Sequence, residues 1–107
     1  ATYRKIKSTT STIKSIAGTY ELKVRGNAAG WIFLDNGVAK YYQNGKTGKE
    51  GKWKLVDKEV HATSHTGSVI IFRIDSDDII TAVATIVKGG NRKDTPKDKQ
   101  FTIIKIK

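Results

Sequence analysis

Residues 30–56 read GWIFLDNGVAKYYQNGKTGKEGKWKLV, and this stretch decides the fold. Three β-prone runs, Gly30 to Asp35, Val38 to Gln43 and Lys52 to Val56, are punctuated by Asn36-Gly37 and Asn44-Gly45. An Asn-Gly pair can place both central residues of a tight turn at positive φ, which matches the twist of hairpin strands. Such short links join antiparallel neighbours and leave no room for a helical crossover.

The same rhythm continues in both directions. Thr19 to Arg25 precedes the stretch, and Glu59 to Thr63, Ser68 to Ile74, Ile79 to Val87 and Gln100 to Ile106 follow it. Asp57-Lys58, His65 to Gly67 and Asp75 to Asp78 supply the turns between them. The expectation is an all-β chain, an antiparallel meander closing into a small up-and-down barrel or a strongly curved sheet.

Period two then sorts the faces. Trp53 and Leu55 share one side of their strand and Lys52 and Lys54 the other. In the Ile79 run, Ile80, Ala82, Ala84 and Ile86 alternate with Ile79, Thr81, Val83 and Thr85. Small alanines facing large aromatics on other strands suit the interior of a curved sheet, with Trp31, Trp53 and Phe72 as the expected interior aromatics.

Residues 1–17 carry Ser, Thr and basic residues without an acidic one. They read as an arm or a short helix from about Ser11 to Ala17, with Gly18 as its C′ residue, and residues 18–107 as one β-barrel domain. The absence of methionine implies that Ala1 is not the translated start. No run approaches the roughly 20 apolar residues of a membrane helix.

The chain has 20 Lys and Arg against 10 Asp and Glu, a net charge of +10. A field that strong favours acidic partners, although lysines also keep sheet edges soluble. With no cysteine, disulfides, thiolate catalysis and Cys-ligated metals are excluded. Residues 88–99, KGGNRKDTPKDK, read as the one long connection, either solvent-facing chain or a functional rim.

Gly18-Thr19-Tyr20-Glu21, then Phe33 to Ala39, then Glu50-Gly51-Lys52-Trp53-Lys54, then Phe72-Arg73-Ile74-Asp75, resemble the small lipocalin-like β-barrel domains of bacterial secreted proteins and lipoproteins. The resemblance covers most of residues 18–86 and lacks the lipid-attachment cysteine. It implies an up-and-down barrel with a binding or structural role, a secreted or periplasmic location, and no active-site residue to carry over.

The residues carry no catalytic signature. There is no Gly-x-Ser-x-Gly and no phosphate-binding Gly-x-x-x-x-Gly-Lys, and the carboxylates fall mostly in turns, so an enzyme, a cofactor and a metal are not expected. His61 and His65 lie roughly 13 Å apart on one strand face, too far to share a metal unless the chain turns between them. Asp75, Asp77 and Asp78 lack the central Gly and distal Glu of a calcium loop.

Of the adjacent Tyr41 and Tyr42, one must face outward, and lysines surround them. The candidate contacts are therefore Tyr41 and Tyr42 with Arg92, Lys93, Lys97 and Lys99. The first expectation is a non-catalytic binding module for a small ligand or an acidic macromolecule. The alternative is a nucleic-acid-binding barrel, in which aromatics stack on bases and cations follow phosphates.

Overall fold

The computed structural model describes residues 12–24 and 27–107; most of the expected N-terminal arm lies outside them. One helical turn, α1 (Ile13–Ile16), precedes β1 (Gly18–Val24), β2 (Asn27–Phe33), β3 (Val38–Gln43), β4 (Lys46–Thr47) and β5 (Gly51–Val56). Then come β6 (Glu59–Thr63), β7 (Val69–Ser76), β8 (Ile79–Ile86), β9 (Arg92–Asp94), a 3-10 turn at Lys97–Lys99 and β10 (Phe101–Lys105). Among the described residues no helix is long and apolar enough to cross a membrane.

All strand pairings are antiparallel, in the order β10-β1-β2-β3-β5-β6-β7-β8, and β10 pairs β8 as well. That last pairing closes an eight-strand barrel, with β4 and β9 as short additions to β3 and β8. Closure removes the open edges that a flat meander would expose.

Inside, Phe33 is the hub. Its ring lies 5.6 Å from Tyr20, 5.2 Å from Trp53 and 6.1 Å from Phe72. Small residues face the large ones, Ala39 opposite Phe33 and Ala82 opposite Phe72. Trp53 and Phe72 are buried as expected, while Trp31 is only half-buried.

One end of the barrel is plugged. Thr12 and Ser15 form a reciprocal capping box that starts α1, and Ile16 enters the core fully buried. The Tyr20 hydroxyl is shared between the Ile16 carbonyl at 2.6 Å and the Asp77 carbonyl at 3.1 Å. Lys105 Nζ donates to the Ser15 carbonyl at 2.6 Å. Carbonyls that a four-residue helix cannot satisfy internally thus tie it to the β7–β8 turn and to β10. Gly18 begins β1 directly.

Three local expectations are corrected. Only Gly37 of Asn36-Gly37 has positive φ; Gly37 N–H donates to Leu34 and Leu34 N–H to Val38, a type I turn closed by a glycine bulge. The Asn36 carboxamide supports it by accepting from Val38 N–H at 3.1 Å. Asn44-Gly45 does place both residues at positive φ.

Second, the alternation in β8 breaks at Val83. Phe72 faces Ala82 but Ile71 faces Ala84, so Val83 is an extra residue, a β-bulge that sends Ala84 and Ile86 to the outer side. Ile71 and Ala84 are fully buried yet lie outside the central cluster.

Third, residues 88–99 are not one long loop. After a turn in which Gly89 takes φ 77°, β9 pairs back on β8 through Ile86↔Arg92, Thr85↔Lys93 and Ala84↔Asp94, and Thr95 N–H donates to Val83. β9 and β10 thus occupy the same edge of β8 in succession, separated by a bulge around Pro96 and the 3-10 turn. A three-residue strand of exposed charges carries no apolar alternation, so nothing in its pattern announces it.

Candidate functional site

Two seams in the barrel create the site. β1 pairs with β10 only at Tyr20↔Lys105 and Glu21↔Ile104, although β1 runs on to Val24 and β10 begins at Phe101. β3 pairs with β5 only at Val38↔Lys52 and Ala39↔Gly51, beyond which β3 folds back on β4. Both seams open toward the end opposite α1. The β1–β2–β3 unit therefore splays away from the β5–β10 unit there, as a wedge.

A cavity of about 600 Å³ fills the wedge, within the roughly 300–1,000 Å³ range of small-molecule sites. Leu22, Ala29, Trp31 and Tyr41 line it from the first unit, and Ile70, Phe101 and Ile103 from the second. Trp31 forms the floor. Its ring lies 5.0 Å from Tyr41, 5.8 Å from Phe72 and 6.3 Å from Phe33, so it joins the cavity to the packed core. Space remains because Ala29 and Ala39, on the same strand faces as Trp31 and Tyr41, are small, and Gly48 adds no side chain at the mouth.

The polar part of the lining lies on one side, at Lys49, Thr63, Ser64 and His65. Gly51 holds this side together. A Cβ there would collide with the Thr63 carbonyl oxygen and stand 3.2 Å from Ser64 Cα, so only glycine lets the 48–51 segment lie against residues 63–65. The Ser64 hydroxyl pairs with Thr66 Oγ1 at 2.8 Å. Across the outside of the β3–β5 seam, Lys40 meets Glu50 at 3.5 Å.

The two tyrosines part company. Tyr41, opposite Trp31, faces the cavity and is 38% exposed. Tyr42, opposite Gly30, lies outside: a Cβ at Gly30 would meet the Tyr42 hydroxyl oxygen at 2.7 Å, so the ring covers the glycine. Tyr42 Oη donates to Glu21 Oε2 at 2.8 Å. Burial, then the bond to this carboxylate and its charge, push the phenol up to about 12. Tyr41 and Tyr42 therefore do not make one stacking platform.

The four basic candidates also divide. Arg92 is on the outer face, bonded through Nη1 and Nη2 to both carboxylate oxygens of Glu59, at 3.0 and 2.9 Å, and through Nε to Asp94 at 3.3 Å. His61 Nε2 lies 3.0 Å from the same Glu59. Lys93 faces Thr85, which in turn faces Ile70, so Lys93 sits on the cavity side of the sheet. Lys97 and Lys99 are exposed on the 3-10 turn and form no ion pair among the described residues.

His61 and His65 are separated in role, His61 on the outer face and His65 in the turn lining the mouth. Sequence reasoning missed Lys49 and the cavity itself. The only signal for either was the run of small residues at positions later found around the mouth. No protein-family model matches the chain, and neither a curated protein nor a solved structure matches it.

Proposed function

We propose that this chain is a non-catalytic binding module that holds a small, largely apolar ligand between its two splayed sheet units, in the manner of lipocalin-like barrels. The observation that carries this reading is the Trp31-floored cavity of about 600 Å³, with apolar residues on most of its wall. An eight-strand antiparallel barrel plugged at one end and open at the other is compatible with that family's architecture. Among the described residues no base is bonded to the rim hydroxyls of Thr63 and Ser64 that would activate a nucleophile.

Trp31 supplies the readout. Titration with N-phenyl-1-naphthylamine, an uncharged aromatic probe, should quench tryptophan emission saturably at about micromolar concentrations. Trp31→Phe should remove most of the quenching. Absence of saturable binding up to about 100 micromolar would overturn the reading.

The nucleic-acid alternative draws support from Lys93, Lys97 and Lys99, which form no ion pair among the described residues, and is weakened by the divergence of Tyr41 from Tyr42 and by the engagement of Arg92. Binding of a single-stranded oligonucleotide that weakens steeply with salt, and that falls when those three lysines are replaced, would favour it instead.

A further inference from the structure

The cavity lies at the positive end of the molecule. At the plugged end Asp35, Asp57, Asp77 and Asp78 in the turns and Asp75 near the end of β7 offset Lys58, Arg73 and Lys105. Around the mouth, Lys46, Lys49, Lys88, Lys93, Lys97 and Lys99 form no ion pair among the described residues. Of the acidic residues there, Glu50 and Asp94 are already matched by Lys40 and Arg92, which leaves Asp98 of the 3-10 turn against these six lysines. Low-dielectric walls opening into a ring of cations concentrate field lines at the opening.

Within that field the cavity is itself polarised. Trp31, Phe101 and Ile103 offer no charge and no acceptor to a polar group, whereas Lys49 and His65 both line the rim, on segments that the close approach of Gly51 to Thr63 and Ser64 holds together. A wholly apolar ligand would leave Lys49 unmatched. A hydrophilic anion would leave the floor without a partner.

Resting on the cavity reading above, we infer that the ligand is a monomeric amphipathic organic anion, its apolar body on Trp31 and its anionic head beside Lys49 and His65. Charge complementarity at the rim and apolar complementarity at the floor together select this class.

A matched pair of probes tests it. 8-Anilino-1-naphthalenesulfonate has the ring system of N-phenyl-1-naphthylamine plus a sulfonate. The anion should bind about tenfold more tightly than the neutral probe at low salt, since one bond to a charged group is worth about that much. The two should displace each other. Lys49→Gln with His65→Gln should bring the anion's affinity down to that of the neutral probe measured on the same variant, and Lys49→Arg should retain the difference. Circular dichroism checks that the variants fold.

Equal affinities for the two probes, or an anion affinity indifferent to the double substitution, would overturn the inference and leave the cavity reading standing. Anion binding that does not displace the neutral probe would also overturn it, as ion pairing on the outer surface. If neither probe binds, the cavity reading falls and this inference with it. Phosphatidylcholine vesicles doped with phosphatidylglycerol form a second arm: co-sedimentation of the protein with loss of probe binding would overturn a monomeric ligand in favour of a membrane surface.

Discussion

Arg92 and Glu59 form a bidentate ion pair that bridges β9 to β6 across the outer surface of β8 and β7. Ile71 and Ala84, on the two strands between them, are fully buried although they lie outside the central core. The β-bulge at Val83 turned Ala84 outward, and the Arg92 strap, with His61 beside Glu59, crosses the face that carries both.

The strap should be acid-labile. Hydrogen bonds from Arg92, then from His61, hold the Glu59 carboxyl below the usual range, outweighing the upward push of burial. A depressed carboxylate contributes stability that is full above its ordinary value and is lost as pH falls through its folded one. Arg92→Met should cost about 1 kcal/mol near neutral pH, and the gap from the parent should close as pH falls below about 4. Urea unfolding at several pH values measures this, and a pH-independent gap would show that the ion pair does not carry the guanidinium's contribution.

Tyr42 gives the alkaline counterpart. With its phenol raised to about 12, the folded state keeps a proton that the unfolded chain releases near the ordinary value of 10. This contribution is full below the ordinary value and declines as pH rises toward about 12. Tyr42→Phe should cost about 1 kcal/mol at neutral pH and flatten the alkaline loss of stability. Ultraviolet difference titration of parent and variant should show the missing late-ionising tyrosine.

Gly51→Ala tests the rim. Its Cβ would strike the backbone carbonyl of Thr63, which cannot turn aside as a side chain could. A loss of about 1–3 kcal/mol is expected, together with weaker binding of N-phenyl-1-naphthylamine as residues 48–51 separate from 63–65. Denaturant melts and probe titration on the same sample separate the two effects.

Trp53 is a core residue, 5% exposed, with its Nε1 donating to the Leu34 carbonyl at 2.7 Å. Trp53→Ala should cost about 3–5 kcal/mol. Trp53→Phe should cost well under half of that, because the Leu34 carbonyl keeps the Gly37 N–H as a partner. A loss under about 1 kcal/mol for the alanine variant would show that the ring does not support the barrel.

Strands, most turns and inner faces were legible in the sequence because each is set locally. Asn44-Gly45 tolerates positive φ wherever it stands, and Trp53 between Lys52 and Lys54 declares its face through period two alone. The course of β9, the outward turn of Ala84 and the engagement of Arg92 were not legible, because each depends on which edge of β8 remains free after the bulge at Val83. The cavity belongs to the same class. It exists because Tyr20 and Glu21 find Lys105 and Ile104 at the far end of the chain while Leu22 and Ile103 do not pair, and no local pattern states where a long-range ladder stops.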